Sequence, residues 1–211
     1  MNLPGKFLVP AFLLLTLSNP ALTFANSTID FSNSGGTLSG TSAGLSLSGS
    51  TLAAVIGFNG MGLVTGDLGT VTFSTGALTS GSSLTMGGTF AAGGMFTITG
   101  NGNDGVPNGV LFSGTFSSPV SWTLTTLANG THNYTLTGTL SGTMGTISVS
   151  AVTVQLTINV GKGYFNGSTL ISGGDTTIAG TVPEPSTLAL FGSGIIGLAG
   201  LARRKSLHHR L

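Results

Sequence analysis

Between Val120 and Val160 three runs carry apolar side chains at alternate positions, and no other feature restricts the fold so tightly. The stretch "VSWTL" sets Val120, Trp122 and Leu124 on one face, and "HNYTLTGTL" does the same with His132, Tyr134, Leu136 and Leu140. At about 3.6 residues per turn a helix would scatter these residues round its axis, whereas an extended chain gathers them on one side. The segment "LANGT" between the two runs must keep both apolar sets on the same face. A two-residue loop at Asn129-Gly130 puts Leu124 opposite Thr135 and divides the sets. A three-residue loop, Ala128 to Gly130 with Gly130 in the left-handed region, puts Leu124 opposite Tyr134 and Trp122 opposite Leu136. The hairpin is therefore predicted to turn through three residues.

The next run, "ISVSAVTVQLTINV", changes phase in its middle. Ile147 and Val149 share one face, and Val152, Val154, Leu156, Ile158 and Val160 follow after an odd step. A β-bulge inserts one residue in this way, as would a break into two strands. Shorter alternating runs occur at "TIDF", "TVTF", "MFTIT" and "VLFSGTF", and Gly-Thr-apolar triplets recur at irregular spacing. Irregular spacing argues against a fixed-period solenoid and for strands that begin or end at glycine. The first sixty residues of this region, dense in Gly, Ser and Thr, carry the weakest alternation and are expected to be partly loose.

With 5% charged residues, 36 glycines and no cysteine, the chain resembles an exported β-rich protein more than a cytosolic enzyme. The absence of cysteine excludes disulfides, thiolate catalysis and cysteine-type zinc sites together. Basic residues stand at the ends, at Lys6, Arg203, Arg204, Lys205 and Arg210. Between residues 26 and 182, Lys162 alone faces Asp30, Asp67, Asp104 and Asp175, one positive charge against four negative. Nucleic acid is not an expected partner, because phosphate neutralisation needs clustered Lys and Arg.

Both ends read as export signals. Lys6, the short apolar run "FLVPAFLLLTL" and "ALTFA" have the order of a secretory signal peptide, with a cut expected after Ala25. At the other end Pro183, Glu184 and Pro185 precede an apolar stretch from Thr187 to Ala202, which is followed at once by Arg203, Arg204 and Lys205. Two prolines flanking one residue keep the backbone extended and accessible, and the basic cluster would stay cytoplasmic and stop transfer. As a helix the apolar stretch covers about 24 Å, short of a bilayer core of about 30 Å, so it spans only with local thinning.

These thirty or so residues resemble a PEP-CTERM sorting signal, the tail of many proteins exported by exopolysaccharide-producing Gram-negative bacteria. The resemblance implies that an exosortase, a membrane-embedded transpeptidase-like enzyme, reads Pro183, Glu184 and Pro185 and removes the anchor. It also implies a basic stop at Arg203, Arg204 and Lys205, transient anchoring in the inner membrane through the C-terminal helix, and final release to the surface or matrix. Exopolysaccharide is a further expected partner.

The remaining chemistry is sparse. His132 is the one histidine between the ends, with no acid at useful spacing, and reads as a strand residue beside a hairpin. A paired-carboxylate hydrolase would need two of the scattered acids to meet through the fold. "NGNDGVPNG", Asn101 to Gly109, offers oxygens to calcium, but it lacks the further acids of an EF-hand and reads as a turn. A single tryptophan and two tyrosines make a thin sugar platform.

The expected architecture is all-β: an antiparallel β-sandwich-like domain over residues 26–181, flanked by a signal helix at 1–25 and a sorting tail at 182–211 whose transmembrane helix is 187–202. An outer-membrane barrel is also compatible with alternation, but it needs strands of about nine residues and aromatic girdles. Aromatic residues make up 7% of the chain, which supports a barrel of that kind poorly. No catalytic residue, cofactor or metal is expected. The expected function is that of a structural or adhesive surface protein; the alternative is a secreted carbohydrate-binding module or hydrolase displayed by the same tail.

Overall fold

The computed structural model describes residues 28–179, so the expected signal and transmembrane helices lie outside the described residues. The strands follow one another as hairpins. In chain order they are β1 (Thr28–Ser34), β2 (Thr37–Thr41), β3 (Gly44–Ile56), β4 (Val64–Thr65), β5 (Gly69–Ser74), β6 (Leu78–Ser83) and β7 (Gly87–Phe90). Then come β8 (Gly93–Asn101), β9 (Asn108–Phe116), β10 (Val120–Thr126), β11 (His132–Met144), β12 (Ile147–Asn159), β13 (Ser168–Leu170) and β14 (Gly173–Ala179). Apart from a single 3-10 turn at Phe58–Gly60, every regular element among the described residues is a strand.

Eight of these strands close into an antiparallel barrel in the order β1, β3, β5, β8, β9, β11, β12, β14 and back to β1. The closing pair sets Thr28 opposite Ala179 and Asn33 opposite Gly174. This overturns the expected sandwich. Period-two alternation reports only that each strand has one buried face, which sandwiches and barrels share. What decides between them is whether the first and last strands find each other, and that pairing leaves no local mark. The short strands continue the barrel staves past breaks. At Ser117–Pro119, for example, β9 gives way to β10, and both lie on β11, with Phe116 opposite Leu140 and Ser121 opposite Thr137.

The predicted hairpin forms with the predicted register: Trp122 faces Leu136, Leu124 faces Tyr134, and Gly130 has φ 78°. Between the strands the Leu127 and Gly130 amides bond to Thr131 and Leu127 carbonyls at 2.8 and 2.9 Å. The phase change is a bulge within the single strand β12. Leu140 faces Val152 while Gly142 faces Val149, so Ser150 and Ala151 together oppose the single Ser141, one residue in surplus, and Ala151 takes φ 56°. The region expected to be loose is regular, because residues 28–83 supply β1 to β6. Its glycines interrupt alternation along the sequence, and at Gly49 and Gly81 the cross-strand register shifts, yet the strands stay paired on either side.

Phe73, Phe96, Phe112 and Phe116 pack together inside the barrel. Phe73 stacks on Phe96 with centroids 5.8 Å apart, and Phe116 meets both edge-on at 6.0 and 6.2 Å. A second group forms where Trp122 stacks on Tyr134 at 4.9 Å and meets Phe165 edge-on at 5.4 Å. Outside, the wall carries Thr72, Thr123, Thr137, Thr153 and Gln155, all exposed. The interior is apolar and the exterior mainly hydroxyl, with exposed apolar residues such as Met95, Val110 and Ile147 among them, whereas a lipid-spanning barrel carries a continuous apolar band outside.

Candidate functional site

Where β11, β12, β14 and β1 lie side by side, their outward positions align in rows. One row runs Ser121, Thr137, Gln155, Asp175, Ser32 across five strands, beginning on β10. The next runs Thr139, Thr153, Thr177, Asp30. Alternation explains the content of both rows. Each strand spends its apolar residues inward, so what remains outside is short and polar. Short side chains, with Gly138 among them and Ser118 and Pro119 at one wall, leave a groove of about 650 Å³. A second hollow of about 360 Å³ shares Gln155 and Asp175 with the first and continues past Ser32, Asn33, Thr157 and Gly173.

Two of the four aspartates between the ends meet here. Asp30 and Asp175 sit diagonally on the paired strands β1 and β14. The Thr177 hydroxyl donates to Asp30 Oδ1 at 3.2 Å, and the Ser32 hydroxyl donates to Asp175 Oδ1 at 2.6 Å. One oxygen of each carboxylate is thus held by a neighbour, and among the described residues no donor engages the other oxygen. Among the described residues no lysine or arginine lines the groove. The arrangement can accept hydrogen bonds from hydroxyl or ammonium groups and return them from Thr and Ser hydroxyls and the Gln155 amide. Sequence reasoning missed this pair. "TIDF" and "GDTTIA" each mark their aspartate as outward-facing, but only the β1–β14 pairing brings the two together.

Elsewhere the described residues place the candidates in structural roles. His132 is buried at the start of β11, where its Nδ1–H donates to the Gly163 carbonyl at 2.7 Å and its ring stacks on Tyr164 at 4.1 Å. In the Asn101–Gly109 loop the Asn101 and Asn103 side-chain amides both donate to the Asp67 carbonyl, at 2.8 and 3.0 Å, while Asn101 Oδ1 accepts the Asn103 backbone N–H. Donors and acceptors there tie two turns together. Among the described residues no group of three or more His, Asp or Glu side chains is placed to hold a metal ion.

Trp122, the one tryptophan, is buried and cannot serve as a sugar platform. Its Nε1–H donates to the Leu84 carbonyl at 2.9 Å. Beside it the Tyr134 hydroxyl donates to the Thr85 carbonyl at 2.7 Å and accepts the Phe165 amide at 3.1 Å. These bonds draw the 84–85 turn and the Phe165 loop over the interior as an aromatic plug.

Pro183, Glu184 and Pro185, with Arg203, Arg204 and Lys205, lie outside the described residues. Their identity rests on comparison. No curated protein matches the chain. No solved structure matches it either. No family model accounts for the barrel. Residues 181–205 match the family model of the PEP-CTERM protein-sorting motif, so the chain carries that signal after its barrel and has the export route and the exosortase processing partner that the signal implies.

Proposed function

We propose that the protein is a non-enzymatic surface or extracellular-matrix component, structural or adhesive in role, which is anchored transiently through its tail, processed there, and then contacts exopolysaccharide outside the cell. The observation that carries this is the sorting motif at residues 181–205 directly following a barrel whose outer wall is threonine and serine. A hydroxyl wall with almost no cations suits a hydrated polymer matrix better than an anionic lipid surface or nucleic acid.

The test is the mass of the C-terminal peptide of the mature protein, taken from cells and from their medium. Loss of everything beyond the Pro-Glu-Pro region, with the product outside the inner membrane, is the expected result. A mature chain still ending at Leu211 would overturn it. A second function, a carbohydrate-binding module displayed by the same tail, is favoured by the groove over β11, β12, β14 and β1.

A further inference from the structure

We infer that this groove is a binding site for one strand of a hydroxyl-rich, cationic glycan, an amino-sugar polymer. The inference rests on the proposed extracellular role and adds to it a site and a ligand class.

Three features select the ligand. The first is shape: the two hollows lie on the same wall, share Gln155 and Asp175 in their linings, and are open like a trough rather than closed. The row from Ser121 to Ser32 crosses five strands, about 19 Å at roughly 4.8 Å per strand spacing. That length suits several units of an extended chain. The second is chemistry. Hydroxyls and a carboxamide both donate and accept, as sugar hydroxyls do, and they recur at strand spacing along the trough. The third is sign. Among the described residues Asp30 and Asp175 are the charged groups of the lining, each has one oxygen still to be engaged, and no described lining residue neutralises them. An acidic polymer would be repelled, a neutral one would bind through hydrogen bonds alone, and an ammonium-bearing one gains charge-assisted bonds at both ends of the diagonal. Among the described residues the lining contains no aromatic ring. Affinity then comes from polar contacts, and the charge-assisted part of it, at the two aspartates, weakens as salt is added.

The experiment is calorimetric titration of the purified mature protein with a glucosamine hexamer, with cellohexaose and hexagalacturonate as neutral and acidic counterparts. The expected order is glucosamine hexamer, then cellohexaose, then hexagalacturonate. Asp30→Asn with Asp175→Asn should weaken the first by at least about tenfold and remove its salt dependence while leaving cellohexaose within about twofold. Thr137→Arg, at an exposed position in the trough, should abolish binding of the glucosamine hexamer and of cellohexaose. Unchanged Trp122 emission in each variant establishes that the barrel is intact. No binding of the glucosamine hexamer, binding unmoved by the aspartate substitutions, or equal binding of hexagalacturonate would each overturn the inference. The C-terminal mass is a separate measurement, so failure of the ligand and failure of the sorting role can be told apart.

Discussion

Removing one oxygen atom from the core should loosen the aromatic plug by a measurable amount. The Tyr134 hydroxyl is the only atom that Tyr134→Phe deletes, and it serves two backbone groups, the Thr85 carbonyl and the Phe165 amide. Tyr134 and Phe165 are both fully buried, and Thr85 is half-buried. A buried group left without its partner costs about 1–3 kcal/mol, toward the lower end where water can reach it. The Phe165 amide has no route to water, while the Thr85 carbonyl has a partial one, so the two together give about 2–4 kcal/mol. The ring itself stays, and with it the stacking on Trp122. With a urea slope of about 2 kcal/mol per molar, within the range for domains of this size, the midpoint should fall by about 1–2 M. Trp122 is the sole tryptophan and lies against the substituted ring, so its emission reports the transition directly. Tyr164→Phe is the control, because Tyr164 is 50% exposed and the same deletion there should leave the midpoint unchanged. A midpoint shift below about 0.3 M in Tyr134→Phe, with an unaltered slope, would refute the argument. The plug would then be held by ring packing alone.

Three other substitutions address different parts of the chain. Ala151 holds φ 56° at the β12 bulge, so Ala151→Gly should raise stability by about 1 kcal/mol, visible as a higher thermal midpoint. The Thr176 hydroxyl is buried with no hydrogen-bond partner among the described residues, and Thr176→Val should also stabilise, by about 1 kcal/mol in urea titration. An unchanged or lowered midpoint would mean that the hydroxyl is satisfied in solution. Glu184→Ala should leave the chain membrane-retained with its tail attached, and a normally trimmed, released product would show that the residue is not read.

Local structure was legible in the sequence where side chains alternate without interruption. The register of Trp122 with Leu136 and the left-handed Gly130 follow from keeping apolar residues on one face, and so does the phase change before Val152, though whether it was a bulge or a break between strands took the pairing of β11 with β12 to decide. Closure was not legible, because the pairing of Thr28 with Ala179 depends on the summed twist and coil of every intervening strand. The same non-local pairing hid the groove. Asp30 and Asp175 each read as an isolated outward acid, and only the finished ring makes them neighbours. Trp122 shows a different limit: composition counts an aromatic ring, but only the fold says whether it faces solvent.

Placing the last strand beside the first also determines how the barrel bears force. Asp175 and Thr177, which contribute to the groove, belong to the same strand that runs on through Ala179 toward the sorting motif at 181. A pull applied at the tail therefore enters the barrel through β14. That strand is clasped on both sides, by five register pairs to β12 and six to β1. Pulled along its axis, it strains these cross-strand bonds side by side in shear instead of opening them one at a time, and hands the load to both neighbours at once.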